Sequence, residues 1–138
     1  MPRPAQYGFV RTSLSLGPIA VASGTSAQTI LLSWTVPSRR VLERIDVIPT
    51  VAGTGAGAAR TLNVRRGNAS GTVVGTAALA LADLGTIGTP KTYAALTTGA
   101  NFEDTDTLSI QIDSGGTQFT ALTAIFVLHF RELAQRAY

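Results

Sequence analysis

The chain has 138 residues, of which 45% are hydrophobic and only 14% charged, against roughly a quarter charged in ordinary soluble domains. That length fits one domain with a real core, and the charge deficit predicts a surface covered in part by copies of the chain or by a larger assembly. The absence of cysteine excludes a disulfide framework, a cysteine metal site and a thiol nucleophile, and a net charge of +3 is too small to require nucleic acid.

Residues Met1 to Gly17 carry two prolines, two arginines and little periodicity, which predicts an extended arm outside the core. The opening Met1-Pro-Arg-Pro has no apolar signal-peptide core, and no apolar run nears the ~18 residues of a membrane helix. A soluble protein made in the cytoplasm, with no membrane partner, is the expectation. Pro18 to Ser23 reads as a short first strand. Thr29 to Val36 follows, with Ile30, Leu32, Trp34 and Val36 on one face, so Trp34 is expected to anchor the core.

After Pro37-Ser-Arg-Arg40, Val41 to Val51 is rich in β-branched residues and carries Pro49, which favours a strand over a helix and marks an edge, a bulge or a strand end. Strict alternation sets Leu42, Arg44, Asp46 and Ile48 opposite Val41, Glu43, Ile45 and Val47. Ala52 to Ala59 is a glycine-rich loop, Arg60 to Arg66 a strand, and Gly67 to Gly71 a turn. Thr72 to Leu84 reads as a strand with a short helical turn near its end, because Gly75 opposes a long helix. Lys91 to Leu96 is the next strand.

From Phe102 to Phe130 the pattern reads as a hairpin. Leu108, Ile110 and Ile112 alternate with Thr107, Ser109 and Gln111, Asp113-Ser-Gly-Gly-Thr117 supplies the turn, and Phe119 to Phe130 returns as a long apolar strand. About eight strands at this spacing indicate an all-β antiparallel sandwich of jelly-roll type, with an arm at residues 1–17, a body at 18–131 and a tail at 132–138. Trp34, Ile45, Leu62, Ile110 and Phe126 are the expected core.

The chemistry-bearing residues are few. His129 is the only histidine and alternates with Leu128 and Phe130, which places it on the surface. No G-x-S-x-G elbow accompanies it, so the chain does not read as an enzyme. Glu103, Asp104, Asp106 and Asp113 form one acidic cluster that lacks an EF-hand pattern and fits turn chemistry; no metal or other cofactor is expected. Arg39, Arg40, Arg44, Arg65 and Arg66 would track phosphates only if the fold set them on one face with interleaved aromatics, and those are missing. The plainer expectation for them is a solvated or interface surface, arginine being suited to bidentate protein contacts. Gly53-Thr-Gly-Ala-Gly57 has no βαβ context, and Asn68-Ala-Ser70 matches a glycosylation sequon without a secretory signal. In the terminal segments, Arg3, Tyr7, Phe9 and Arg11 form a candidate anchor on a partner, and Arg39, Arg40, Arg65, Arg66 and Tyr138 a candidate interface.

The arm, the Thr/Ala/Gly-rich body and the closing segments Phe102–Asp113, Gly115-Gly-Thr117 and Thr123–Leu128 together resemble the small structural proteins of tailed bacteriophages, nearest in type to head decoration, or cement, proteins with a jelly-roll body. The resemblance implies a homotrimer on the outer surface of a virion, clamping copies of the major capsid protein, with the arm at residues 1–17 as the clamp. The alternative is a carbohydrate- or receptor-binding sandwich of a phage tail or fibre, which the scarcity of aromatics opposes.

Overall fold

A computed structural model of the protein describes residues 10–21, 27–55, 60–93, 101–113 and 121–133. Nine strands make up almost all of it: β1 (Arg11–Ala20), β2 (Gln28–Thr35), β3 (Arg40–Thr54), β4 (Arg60–Arg66), β5 (Thr72–Leu79), β6 (Lys91–Tyr93), β7 (Asn101–Phe102), β8 (Thr107–Ile112) and β9 (Ala121–Glu132). The one helical element among the described residues is a 3-10 turn at Leu81–Asp83. One sheet runs β1-β9-β3-β6, with β7 also on β3, and the other runs β2-β8-β4-β5. Every pairing is antiparallel. A five-stranded and a four-stranded sheet in this order follow the jelly-roll layout, with β7 as an addition beside β3.

Period-2 patterning builds the core. From the first sheet Leu42, Ile45, Val47, Leu122, Ala124, Phe126, Leu128 and Phe130 point inward, and from the second Leu62, Val64, Leu108, Ile110 and Ile112, all essentially inaccessible. Ile45, Leu62, Ile110 and Phe126 therefore sit where alternation placed them.

Four expectations change. Residues Phe102 to Phe130 do not form a hairpin, because β8 pairs with β2 and β4 whereas β9 pairs with β1 and β3. The chain crosses from one sheet to the other between them, and their apolar faces meet across the core. Second, the arm stops short of Gly17: Arg11 to Leu16 pair with Arg131 to Phe126, because Leu14 and Leu16 alternate with serines and pack on the core. Third, Trp34 is only half-buried. The register of β2 on β8 slips at Leu31 and again before Trp34, and Ser33 takes a φ of 49°. The slips turn Leu31 towards the core and leave Leu32 61% exposed, while Trp34 rests tilted against Phe130 at 5.7 Å between ring centroids. Fourth, β3 carries a bulge between Leu42 and Arg44, so both Leu42 and Ile45 face inward and Glu43, Arg44 and Asp46 share the outside. Pro49 lies next to a second slip in β3, as its missing N–H requires, and β3 runs on through Gly53 to Thr54 where a loop was expected.

Candidate interaction surface

Register on the first sheet defines what its outer face presents. Ser13, His129 and Arg44 form one cross-strand row, and Ser15, Val127, Asp46 and Thr92 the next. Ile125 then pairs with Ile48, and Ala20 and Val51 both pair with Thr123. The face is thus divided, with charge at the end where β1 begins and β-branched apolar residues at the other.

The charges answer one another within the molecule. Glu43 takes Arg131 Nε at 2.9 Å and Arg11 Nε at 3.5 Å. Asp46 Oδ2 lies 2.8 Å from His129 Nε2 and 3.6 Å from Arg44 Nε, and its Oδ1 accepts from the Thr92 hydroxyl at 2.7 Å. Partial burial works against ionised Asp46, but the Thr92 hydroxyl, His129 and Arg44 outweigh it and hold the carboxyl below the ordinary aspartate value. His129 lies on the surface as its alternation predicts, with its Nε2 engaged by Asp46.

Where β1, β3 and β9 meet at that end, Arg40 is the organising side chain. It is 7% exposed and reaches Glu132 at 3.1 Å. Its Nη2 also donates to the Ser38 hydroxyl at 2.6 Å, its Nε to the Ser38 carbonyl at 3.1 Å and its Nη1 to Thr12 at 3.3 Å. The guanidinium lies 5.4 Å from the centre of the Phe130 ring. Arg40 was a candidate for an external interface; the structure makes it an internal tie, because its register partners Phe102 and Glu132 close over it from both sides of β3.

The other arginines are also occupied. Arg39 pairs with Glu103 at 3.4 Å. Arg66 pairs with Asp106 at 3.3 Å, donates to the Asn101 carbonyl and lies over Phe102. Arg65 donates to Gln111 Oε1 at 3.2 Å and to the Gly71 carbonyl at 2.9 Å. Arg11 is largely exposed at the start of β1. Arg3, Tyr7, Phe9 and Tyr138 lie outside the described residues.

The acidic cluster behaves as turn chemistry. Asp106 Oδ2 accepts the Glu103 N–H at 2.9 Å, and the Asp113 carbonyl accepts Nε and Nη2 of the buried Arg60 at 3.0 and 2.9 Å. No trio of His, Asp or Glu among the described residues is placed to hold a metal ion. In the Gly67–Gly71 turn Asn68 Oδ1 accepts the Ser70 N–H at 2.8 Å, and a Cβ on Gly71 would fall 2.0 Å from the Arg66 carbonyl oxygen.

The second sheet presents a different outer face. Thr29, Gln111, Asn63 and Thr76 form a continuous row across its four strands, polar and uncharged, of which Asn63 is itself buried. Sequence reading missed Ile48, Val51, Ile125 and Val127 as surface residues. Their signal was present in β9, where Ala124 to Leu128 is apolar at every position, more than a strand with one solvated face needs.

Compared with protein families and with curated protein sequences, the chain gives no match. Among solved structures it is similar to a chain described as "Bacillus endospore appendages form a novel family of disulfide-linked pili", at a TM-score of 0.46 and 16% identity, covering 98% of this chain and 96% of that one. The present chain has no cysteine, so the disulfide linkage named there has no counterpart in it.

Proposed function

We propose that the protein is a structural subunit that coats a larger protein shell, in its most specific form a cement protein on the outside of a phage head, acting as a homo-oligomer and holding neighbouring capsid subunits. The observation that carries this reading is the division of the first sheet's outer face. Each charged side chain there already has a partner within the molecule, while a β-branched apolar surface is left for contact with protein. A jelly roll is compatible with that role as an analogy of fold, since the same layout hosts many functions.

The ends of the body support a terminal anchor. The Glu132 N–H donates to the Val10 carbonyl at 2.8 Å, so Val10 and Glu132 lie side by side. Arg3, Tyr7 and Phe9 precede that point in the chain, and Tyr138 follows it. The test is co-sedimentation of the full chain and of a chain lacking residues 2–9 with purified heads stripped of decoration. The deletion stops at residue 9 because Arg11 to Leu16 belong to β1. Saturable binding by the full chain, weakened by the deletion with an unchanged thermal melt, is expected. Failure of the full chain to bind refutes the reading, and equal binding by both forms moves the anchor to the body.

A further inference from the structure

The apolar half of the first sheet's outer face has a definable extent. Ile48, Ile125 and Val127 point away from the core and are half-buried by their neighbours, and Val51 is 47% exposed beside them. The Gly88 N–H donates to the Pro49 carbonyl at 2.8 Å, which sets Ile87, 63% exposed, alongside the edge of β3. Ala20 continues the surface onto β1 through its pairing with Thr123. Among the described residues the one charged side chain at its border is Asp46, the register partner of Val127.

We propose that a second copy of the chain docks here, with the apolar halves of the two faces in contact about a two-fold axis. This rests on the reading of the protein as an assembly subunit and names the surface that the copies share. The charge layout selects the partner. Arg11, Arg44, Arg131 and His129 share Glu43 and Asp46, each within 3.6 Å of a carboxylate, and a partner overlying them would strip their water without replacing it. An uncharged, β-branched sheet face is best complemented by another such face at the roughly 10 Å spacing of stacked sheets. A two-fold contact restricted to the apolar halves supplies that and leaves both charged ends in water.

Area sets the strength. From Thr123 to Val127 the face runs about 17 Å along the strand, and across β1, β9, β3 and the flanking turn about 20 Å. That is on the order of 350 Å² per copy and 700 Å² per pair, against roughly 1,600 Å² for a standard stable complex. The contact is therefore weak in isolation and closes at high local concentration, as on a shell where copies are held side by side.

The experiment is sedimentation of the full chain from about 20 µM to 1 mM, a range that spans weak association. Wild type is compared with Val51→Asp, Ile87→Asp and, on the other sheet, Leu32→Asp; all three positions are exposed, and each fold is checked by thermal melt. Wild type is expected to gain mass with concentration, with Val51→Asp and Ile87→Asp moving the midpoint at least about tenfold higher and Leu32→Asp leaving it in place. Should Val51→Asp fail to fold, Ile87→Asp decides. A wild-type monomer at the highest concentration overturns the proposal, as does association weakened by Leu32→Asp and not by the other two. The same variants are then tested on stripped heads. Heads bound by a protein that never self-associates overturn the docking proposal and leave the coating reading standing. Self-association without binding to heads does the reverse. Loss of head binding in Val51→Asp, with no self-association in wild type, makes the shell the occupant and overturns the second copy.

Discussion

Replacing Arg40 by alanine should destabilise the body rather than weaken attachment to a partner. The guanidinium is 7% exposed, ties β3 to Glu132 of β9 and Thr12 of β1, and covers the Phe130 ring. Removing one partner of a buried ion pair costs about 3–5 kcal/mol. Here the side chain of Glu132 is 33% exposed and regains water once Arg40 is gone, so the cost falls at or below the bottom of that range, about 2–3 kcal/mol. For a domain of this size that is a fall in Tm of roughly 6–12 °C. The assay is urea unfolding followed by the fluorescence of Trp34, the only tryptophan, whose ring rests on Phe130 at 5.7 Å and so reports the same region. Arg40→Met keeps most of the volume over Phe130 and should recover about 1 kcal/mol. A loss below about 0.5 kcal/mol for Arg40→Ala, or an unchanged melt with reduced particle binding, would refute the assignment of Arg40 as an internal tie.

Tyr93 is buried, and its hydroxyl has no hydrogen-bond partner among the described residues; burial, with the Asp83 charge, pushes its pKa well above the ordinary value. A raised folded pKa means that the stability is complete below the unfolded value of about 10 and is lost as pH rises beyond it. Tyr93→Phe should therefore add about 1 kcal/mol at neutral pH and flatten the alkaline limb of a pH series of melts; identical alkaline limbs would show the residue to be uninvolved. Ser109 is inaccessible, accepts the Ser33 N–H at 2.9 Å and donates to the Gly67 carbonyl at 2.7 Å, so Ser109→Ala should cost about 1–2 kcal/mol in chemical denaturation. A neutral result would mean that the β2 irregularity at Ser33 holds without it.

Local alternation by itself determined which segments are strands and which side of most of them is apolar, because side chains on a strand must alternate whatever the strand pairs with. Ile45, Leu62, Ile110 and Phe126 in the core and His129 on the surface follow from that rule alone. The same rule is silent on partners. Two consecutive strands with apolar faces look identical in sequence whether they lie side by side in one sheet or face each other from two. Only the tertiary structure sent β8 and β9 to opposite sheets. It also decided parity where the register slips: the irregularities around Leu31 and Ser33 cost Trp34 its place in the centre, and the bulge at Glu43 put Glu43 beside Asp46. The arginines are the clearest case for function. Their type pointed to protein contacts, but the carboxylates that take them up lie 64 residues from Arg39, 92 from Arg40 and 40 from Arg66 along the chain (103 − 39, 132 − 40 and 106 − 66). Pairing over such separations is set by sheet order, which alternation along a single strand does not encode.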